Sequence, residues 1–309
     1  MPIPVTPWCK HHIQSHASSP VHTLLTELRL LDEAEFPTAA RLNRLREVFQ
    51  SQWQGPVFIA QGELFNSDKS AEKSSYENDT RYYEEIIAED NCVPTRENSW
   101  HDLFNALIWI QFPATKALLN KLHMQDIAQY GAHPRTERRN RITHFDECGL
   151  VLALEAGDED KSNQLLHALA QHHWVDSFVT HRHEWGAHIT PFIFGHANLE
   201  MMLSPFIGLT GKWLAVSVPK GFSEMSYWQQ RAEVDKALVN RIAKLDAFNK
   251  SPLLKPIPLL GVPNWFNKQD TAFYNNSEYF RPLRQGAKPS IQLPLHDCSS
   301  DKERHKGTA

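Results

Sequence analysis

The chain has little cysteine, no long apolar run, no glycine-rich nucleotide loop and no marked excess of either charge. Each absence excludes something. Four cysteines in 309 residues, Cys9, Cys92, Cys148 and Cys298, are too few and too scattered for a disulfide framework. No pair has the C-x-x-C spacing of a zinc knuckle or redox motif, so they read as free thiols of a reducing cytoplasm. Apolar runs are short, such as Ala106 to Ile110, where a bilayer span needs about 20 residues. No basic segment followed by an apolar stretch opens the chain, so no signal peptide is read and the expected location is cytoplasmic. Lys and Arg number 32 against 36 Asp and Glu, a formal net charge of −4. That balance gives no electrostatic reason to expect nucleic acid or a membrane surface as partner. Without G-x-G-x-x-G, a Walker loop or a G-x-S-x-G elbow, nothing indicates a dinucleotide enzyme, an NTPase or an α/β-hydrolase.

What is present is a globular composition, 41% apolar and 22% charged, long enough to bury a large core. Prolines 2, 4, 7 and 20 make the first twenty residues read as extended. Apolar spacing predicts helices over 21–31 and 38–52, then a short strand at Val57–Ala60. Residues 66–80 read as a polar surface loop, and 82–88 as a strand, with helix as the alternative. Ser99 and Asp102 form a capping-box pattern that opens a helix apolar on nearly every face, through Ile110. Pro113 starts the next helix. Arg135, Arg138, Arg139 and Arg141 read as one basic loop, and Ile142 to Leu154 as a β-hairpin turning at Asp146-Glu147-Cys148-Gly149. Further helices are predicted over 158–171, 174–185, 196–203 and 227–248, with the best strand at 213–218. From Ser251 the chain is rich in proline and aromatics and reads as an irregular strap over the core. Helices outnumber strands without regular alternation, so the fold expected is α+β, mostly helical, with a small mixed or antiparallel sheet. One globular domain is expected over 1–286, with the helical part 20–55 packed on it, followed by a disordered tail over 287–309.

The run Glu97-Asn98-Ser99-Trp100-His101-Asp102-Leu103-Phe104-Asn105-Ala106-Leu107-Ile108-Trp109, continuing Phe112-Pro113-Ala114-Thr115-Lys116, resembles the signature of a bacterial family known as domain of unknown function 3025. Phe145-Asp146-Glu147 with Gly149 is similar to it too. So are Phe194-Gly195-His196-Ala197 with Glu200, and Leu260-Gly261-Val262-Pro263 with Phe273-Tyr274 and Phe280-Arg281-Pro282. Asn198 stands where the family pattern has leucine. The resemblance implies a bacterial protein and brings no reaction with it.

Two polar clusters stand out from the residues themselves. His196 and Glu200 lie four apart on one helix face, where they could share a divalent metal or where the carboxylate could orient the imidazole. A helix start also disfavours the imidazolium and keeps a ligand nitrogen available. The competing reading is a buried His–Glu hydrogen bond that locks the helix. His101, Asp102 and Asn105 form the polar stripe of an otherwise apolar helix, and such groups must find partners. If that stripe faces His196 and Glu200, the four side chains His101, Asp102, His196 and Glu200 converge as a metal set, with His101, His196 and Glu200 as proton carriers. The alternative is a hydrogen-bonded core network, with Asp102 serving Ser99. Asp146 and Glu147 read as turn residues rather than ligands, and the histidines from 167 to 188 as solvated surface. Arg135, Arg138 and Arg139 suit an anionic small molecule, since guanidinium forks match carboxylate and phosphate; no aromatics alternate with them as nucleic-acid stacking requires. The functional expectation is a metal-assisted or acid/base hydrolase. The alternative is a binding module with no chemistry of its own.

Overall fold

The axis of the molecule is a buried helix carrying the Ser99 cap. The computed structural model describes residues 8–50, 53, 55–61, 64–65, 74–75, 79–157, 159–249 and 254–287. The helices are α1 (Lys10–His16), α2 (Ser19–Glu27), α3 (Ala39–Phe49), α4 (Tyr83–Asp90), α5 (Trp100–Gln111), α6 (Pro113–Tyr130), α7 (Glu137–Cys148), α8 (Glu159–Ala170), α9 (His196–Met201), α10 (Tyr227–Lys244) and α11 (Thr271–Tyr274). The strands are β1 (Val57–Ala60), β2 (Leu64–Phe65), β3 (Ser74–Ser75), β4 (Cys92–Thr95), β5 (Gly149–Glu155), β6 (Ile189–Ile193), β7 (Thr210–Val218) and β8 (Lys255–Pro258). This is an α+β fold dominated by helix. None of the described helices is long and apolar enough to cross a membrane.

The main sheet is mixed, in the order β6-β5-β7-β8. Its centre is the parallel pair β5 and β7, with Leu152 opposite Ala215, and both flanking strands run antiparallel to their neighbours. Six of seven residues of β5 are buried, as expected of a strand covered on both faces. A parallel pair, β1 with β4, and a short hairpin, β2 with β3, lie apart from it. Buried side chains from Ile13 to Phe280 form one continuous hydrophobic cluster. Every residue of α5 from Leu103 to Gln111 is buried.

Local chemistry explains the helix starts. Ser99 Oγ accepts from Asp102 N at 3.2 Å. Pro113 opens α6, whose N-terminal amides of Ala114 and Thr115 donate to the buried Asp235 carboxylate of α10 at 2.9 and 2.8 Å. Thr136 caps α7 through Arg139 N at 3.1 Å.

Five expectations are corrected. Residues 10–16 are helical where the prolines suggested extended chain, and 83–88 belong to α4, the helical alternative for that segment in place of the strand. Arg138, Arg139 and Arg141 sit on α7, not in a loop. Most important, 142–154 is no hairpin: α7 passes directly into β5 at Gly149. Gly149 has φ −67°, so it supplies no left-handed turn. It is needed for closeness, because a Cβ there would lie 2.4 Å from Phe145 O. The predicted helix at 174–185 is a π-helical turn, Asp176–Thr180, followed by a 3-10 turn, Arg182–Glu184. Residues 66–73 and 76–78 of the predicted polar loop and 288–309 of the predicted tail lie outside the described residues, and Ser74–Ser75 of that loop form β3.

Candidate metal centre

Helices α5, α6, α7 and α9 converge at one end of the central helix. The corner between β6 and α9 is drawn onto the α7–β5 junction by its backbone, since Phe194 N and Gly195 N both donate to Gly149 O, at 3.0 and 2.8 Å. Gly195 allows this approach: a Cβ there would lie 2.5 Å from Glu147 O and from Gly149 N. His196, the next residue, is thereby set against Asp146 and Glu147.

The two imidazoles face each other. His101 Nε2 and His196 Nε2 are 3.1 Å apart, with ring planes at 79°. The Glu147 carboxylate lies 3.7 Å from His196 Nε2. The ligand atoms of His101, Glu147 and His196 all lie within 4.8 Å of one another. Tetrahedral zinc with bonds of about 2.0–2.1 Å to nitrogen separates two such nitrogens by roughly 3.3 Å, so the histidine pair fits one ion.

Each outer ring nitrogen faces a carboxylate. His101 Nδ1 is 3.0 Å from Glu200 Oε2, and His196 Nδ1, buried and without a hydrogen-bond partner, has Asp146 Oδ2 at 3.7 Å. When His101 donates through Nδ1 to Glu200, its Nε2 lone pair points at His196. Such outer carboxylates fix tautomer and orientation in metal-bound histidines. Asp146 is itself held by Lys116 Nζ at 2.6 Å, and Lys116 donates also to Asn105 Oδ1 at 2.9 Å. Asn105 Nδ2 donates in turn to the Tyr83 hydroxyl at 2.8 Å. His101 and Asn105 of the α5 stripe therefore join one network running from Tyr83 to Glu200.

Electrostatics follow burial. Burial drives the His196 pKa down to about 4 and keeps the ring neutral. The hydrogen bond that His101 donates to Glu200 raises the His101 pKa instead. Burial lifts Glu147. Burial would lift Asp146 as well, but Lys116 and the neighbouring histidines outweigh it and hold that carboxylate low.

His101, His196 and Glu147 open onto a cleft of about 410 Å³, whose walls include Tyr82, Tyr83, Arg96, His123 and Arg135. The side chains singled out from the sequence divide here. His101, His196 and Glu200 come together. Asp102, expected as a ligand, turns to Arg96, which binds it through Nε at 3.0 Å, Nη2 at 2.8 Å and its backbone amide at 2.7 Å. Glu200 reaches the outer nitrogen of His101 rather than the inner one. Of the three arginines expected to hold an anion, Arg135 lines the cleft, with its guanidinium bonded to the Tyr82 hydroxyl. Arg138 pairs with Asp126. Arg139 is wholly buried, donating to Ala132 O at 2.6 Å and lying 5.0 Å from the Tyr82 ring. Sequence reasoning missed Glu147, Asp146 and Lys116 because the hairpin reading placed the first two in a turn. It missed His123 too, a buried cleft histidine held at a pKa of about 4 by burial, with Nδ1 lacking a partner.

Histidines and carboxylates on facing helices beside a small sheet form a cluster whose donor set could hold a metal ion. The chain belongs to the protein family of unknown function DUF3025, whose model matches residues 69–284 and so covers every residue of this centre. No curated protein and no solved structure matches the chain at a significant level.

Proposed function

We propose that this protein is a metal-assisted hydrolase whose divalent ion is held by His101 Nε2, His196 Nε2 and the Glu147 carboxylate. One observation carries the reading: three ligand atoms converge at the floor of a cleft while both histidines turn their outer nitrogens to carboxylates. Catalytic zinc sites characteristically take three protein ligands and keep a further position for water or substrate. An ion bound here would polarise an electrophile and make water nucleophilic near neutral pH. Glu200 orients His101. Asp146, clamped by Lys116, orients His196. The Tyr83 hydroxyl accepts from Asn105 and stays protonated, its pKa held above the ordinary tyrosine value by desolvation of the hydroxyl end and by the nearby carboxylates Glu84, Asp102 and Asp146, so it can donate into the cleft. Arg135 at the cleft wall suits an anionic group on a small substrate.

The test loads purified protein with Zn²⁺, Mn²⁺ or Co²⁺ and assays ester, phosphate-ester and amide substrates. Turnover of one class that needs metal and is lost in Glu147→Ala and His196→Ala is the expected result. Metal binding without turnover of any class would favour the alternative, a binding module. No metal binding at all would remove both the ion and the hydrolase.

A further inference from the structure

A second cavity, of about 180 Å³, lies where the far end of α5 meets α2 and α10. His101 and Gln111 stand ten residues apart on α5, about 15 Å along the axis at 1.5 Å per residue, so this is a different place from the metal centre. Its distinctive feature is Arg231. The guanidinium lies over the rings of Tyr227 and Phe192. Arg231 Nε donates to Gln111 Oε1 at 2.9 Å and Nη1 to Tyr227 O at 3.0 Å. With a further side-chain hydrogen bond to Tyr227, those bonds still leave part of the roughly five N–H groups that an arginine offers uncommitted. Gln111 has little more to give: its Oε1 also accepts from the Tyr227 hydroxyl at 3.2 Å, and its Nε2 is committed to Leu107 O at 3.0 Å.

Arg231 forms no ion pair with a carboxylate among the described residues. The acidic group that influences it electrostatically is Glu27, an exposed side chain on α2. Burial lowers the Arg231 pKa to about 10, which still leaves it cationic at neutral pH. Arg231 is half-buried beneath the Tyr227 and Phe192 rings, and the cost of a partly desolvated cation without a paired carboxylate is offset by an anion in the adjoining cavity. The cavity walls say which kind of anion. Leu24, Phe112, Ile193 and Trp265 are apolar, whereas Ser19 and Thr23 bring hydroxyls from α2. A wholly polar oxyanion would leave the apolar walls uncovered.

We infer that this cavity binds a small carboxylic acid, its carboxylate on the free edge of the Arg231 guanidinium and its short apolar body against Phe112, Ile193 and Trp265. This stands independently of the metal centre.

Thermal unfolding and calorimetric titration with acetate, butyrate, phosphate and chloride at matched ionic strength test it. Butyrate is expected to raise the melting temperature saturably and to bind at least tenfold more tightly than acetate, with chloride inert. Arg231→Met is expected to lose the butyrate response. Should that variant not fold, Thr23→Trp, at an exposed rim position, places an indole at the cavity mouth and is expected to weaken butyrate at least tenfold. Three results would each overturn the assignment: a wild-type response to butyrate no larger than to chloride, phosphate bound in preference to butyrate, or an undiminished butyrate response in either folded variant.

Discussion

At the scale of single residues the proposed centre depends on Glu147, as the proposed ligand, and on Lys116, which acts through Asp146. Lys116 donates to Asp146 at 2.6 Å, and Asp146 faces the outer nitrogen of His196. Removing such an outer partner typically costs about 10–100-fold in metal affinity. Lys116→Met should therefore weaken zinc by that factor in a competitive chelator titration while the far-ultraviolet circular dichroism stays native. An unchanged affinity would show that Lys116 only fills space. A second residue effect is electrostatic and lies away from the centre. Burial pushes the Asp126 carboxyl up, but Arg138 and Thr136 outweigh it and hold the pKa below the ordinary value. A carboxyl depressed in the folded state stabilises above its unfolded pKa, and that contribution disappears as pH falls through the folded pKa. Asp126→Asn should thus lower the urea midpoint near neutral pH, and the difference from wild type should shrink as pH drops below the carboxylate range.

Gly195 is the decisive position at the scale of elements. It lets the β6–α9 corner sit on the α7–β5 junction, which is what places His196 beside Glu147. Gly195→Ala inserts a Cβ 2.5 Å from two backbone atoms that cannot rotate away. Overpacking of this kind costs about 1–3 kcal/mol, and here it should also weaken metal binding. A variant as stable as wild type with full metal affinity would mean that the corner is not held this tightly. The same elements show what the sequence could disclose. The α5 cap at Ser99, the proline start of α6 and the His196–Glu200 face were legible from spacing, as was the mostly helical α+β class. The α7–β5 passage was not. Within α7 only Ile142, Phe145 and Arg139 are buried, so its helical period is faint beside the apolar run of β5. Gly149 looked like a turn when its role is close packing. That misreading hid Asp146 and Glu147. It also left Asp102 as the obvious carboxylate, although its partner Arg96 lies six residues upstream, where helical spacing says nothing.

The cluster of buried side chains running from Ile13 to Phe280 governs behaviour at the scale of the molecule. Its continuity supports one cooperative unit across the described residues, so calorimetry should show a single unfolding transition with matching calorimetric and van't Hoff enthalpies. Two separated transitions would divide the chain. A ligand that binds only the folded state raises stability by RT ln(1 + [L]/Kd), about 2.7 kcal/mol at a hundredfold excess over Kd. Divalent metal should accordingly shift the whole transition upward, and chelation should reverse the shift. The most direct measurement is an anomalous difference map from crystals grown with zinc. One peak is predicted, about 2.0–2.2 Å from His101 Nε2, His196 Nε2 and a Glu147 carboxylate oxygen. No peak at that point, or a peak held by Asp102 in place of Glu147, would contradict the account.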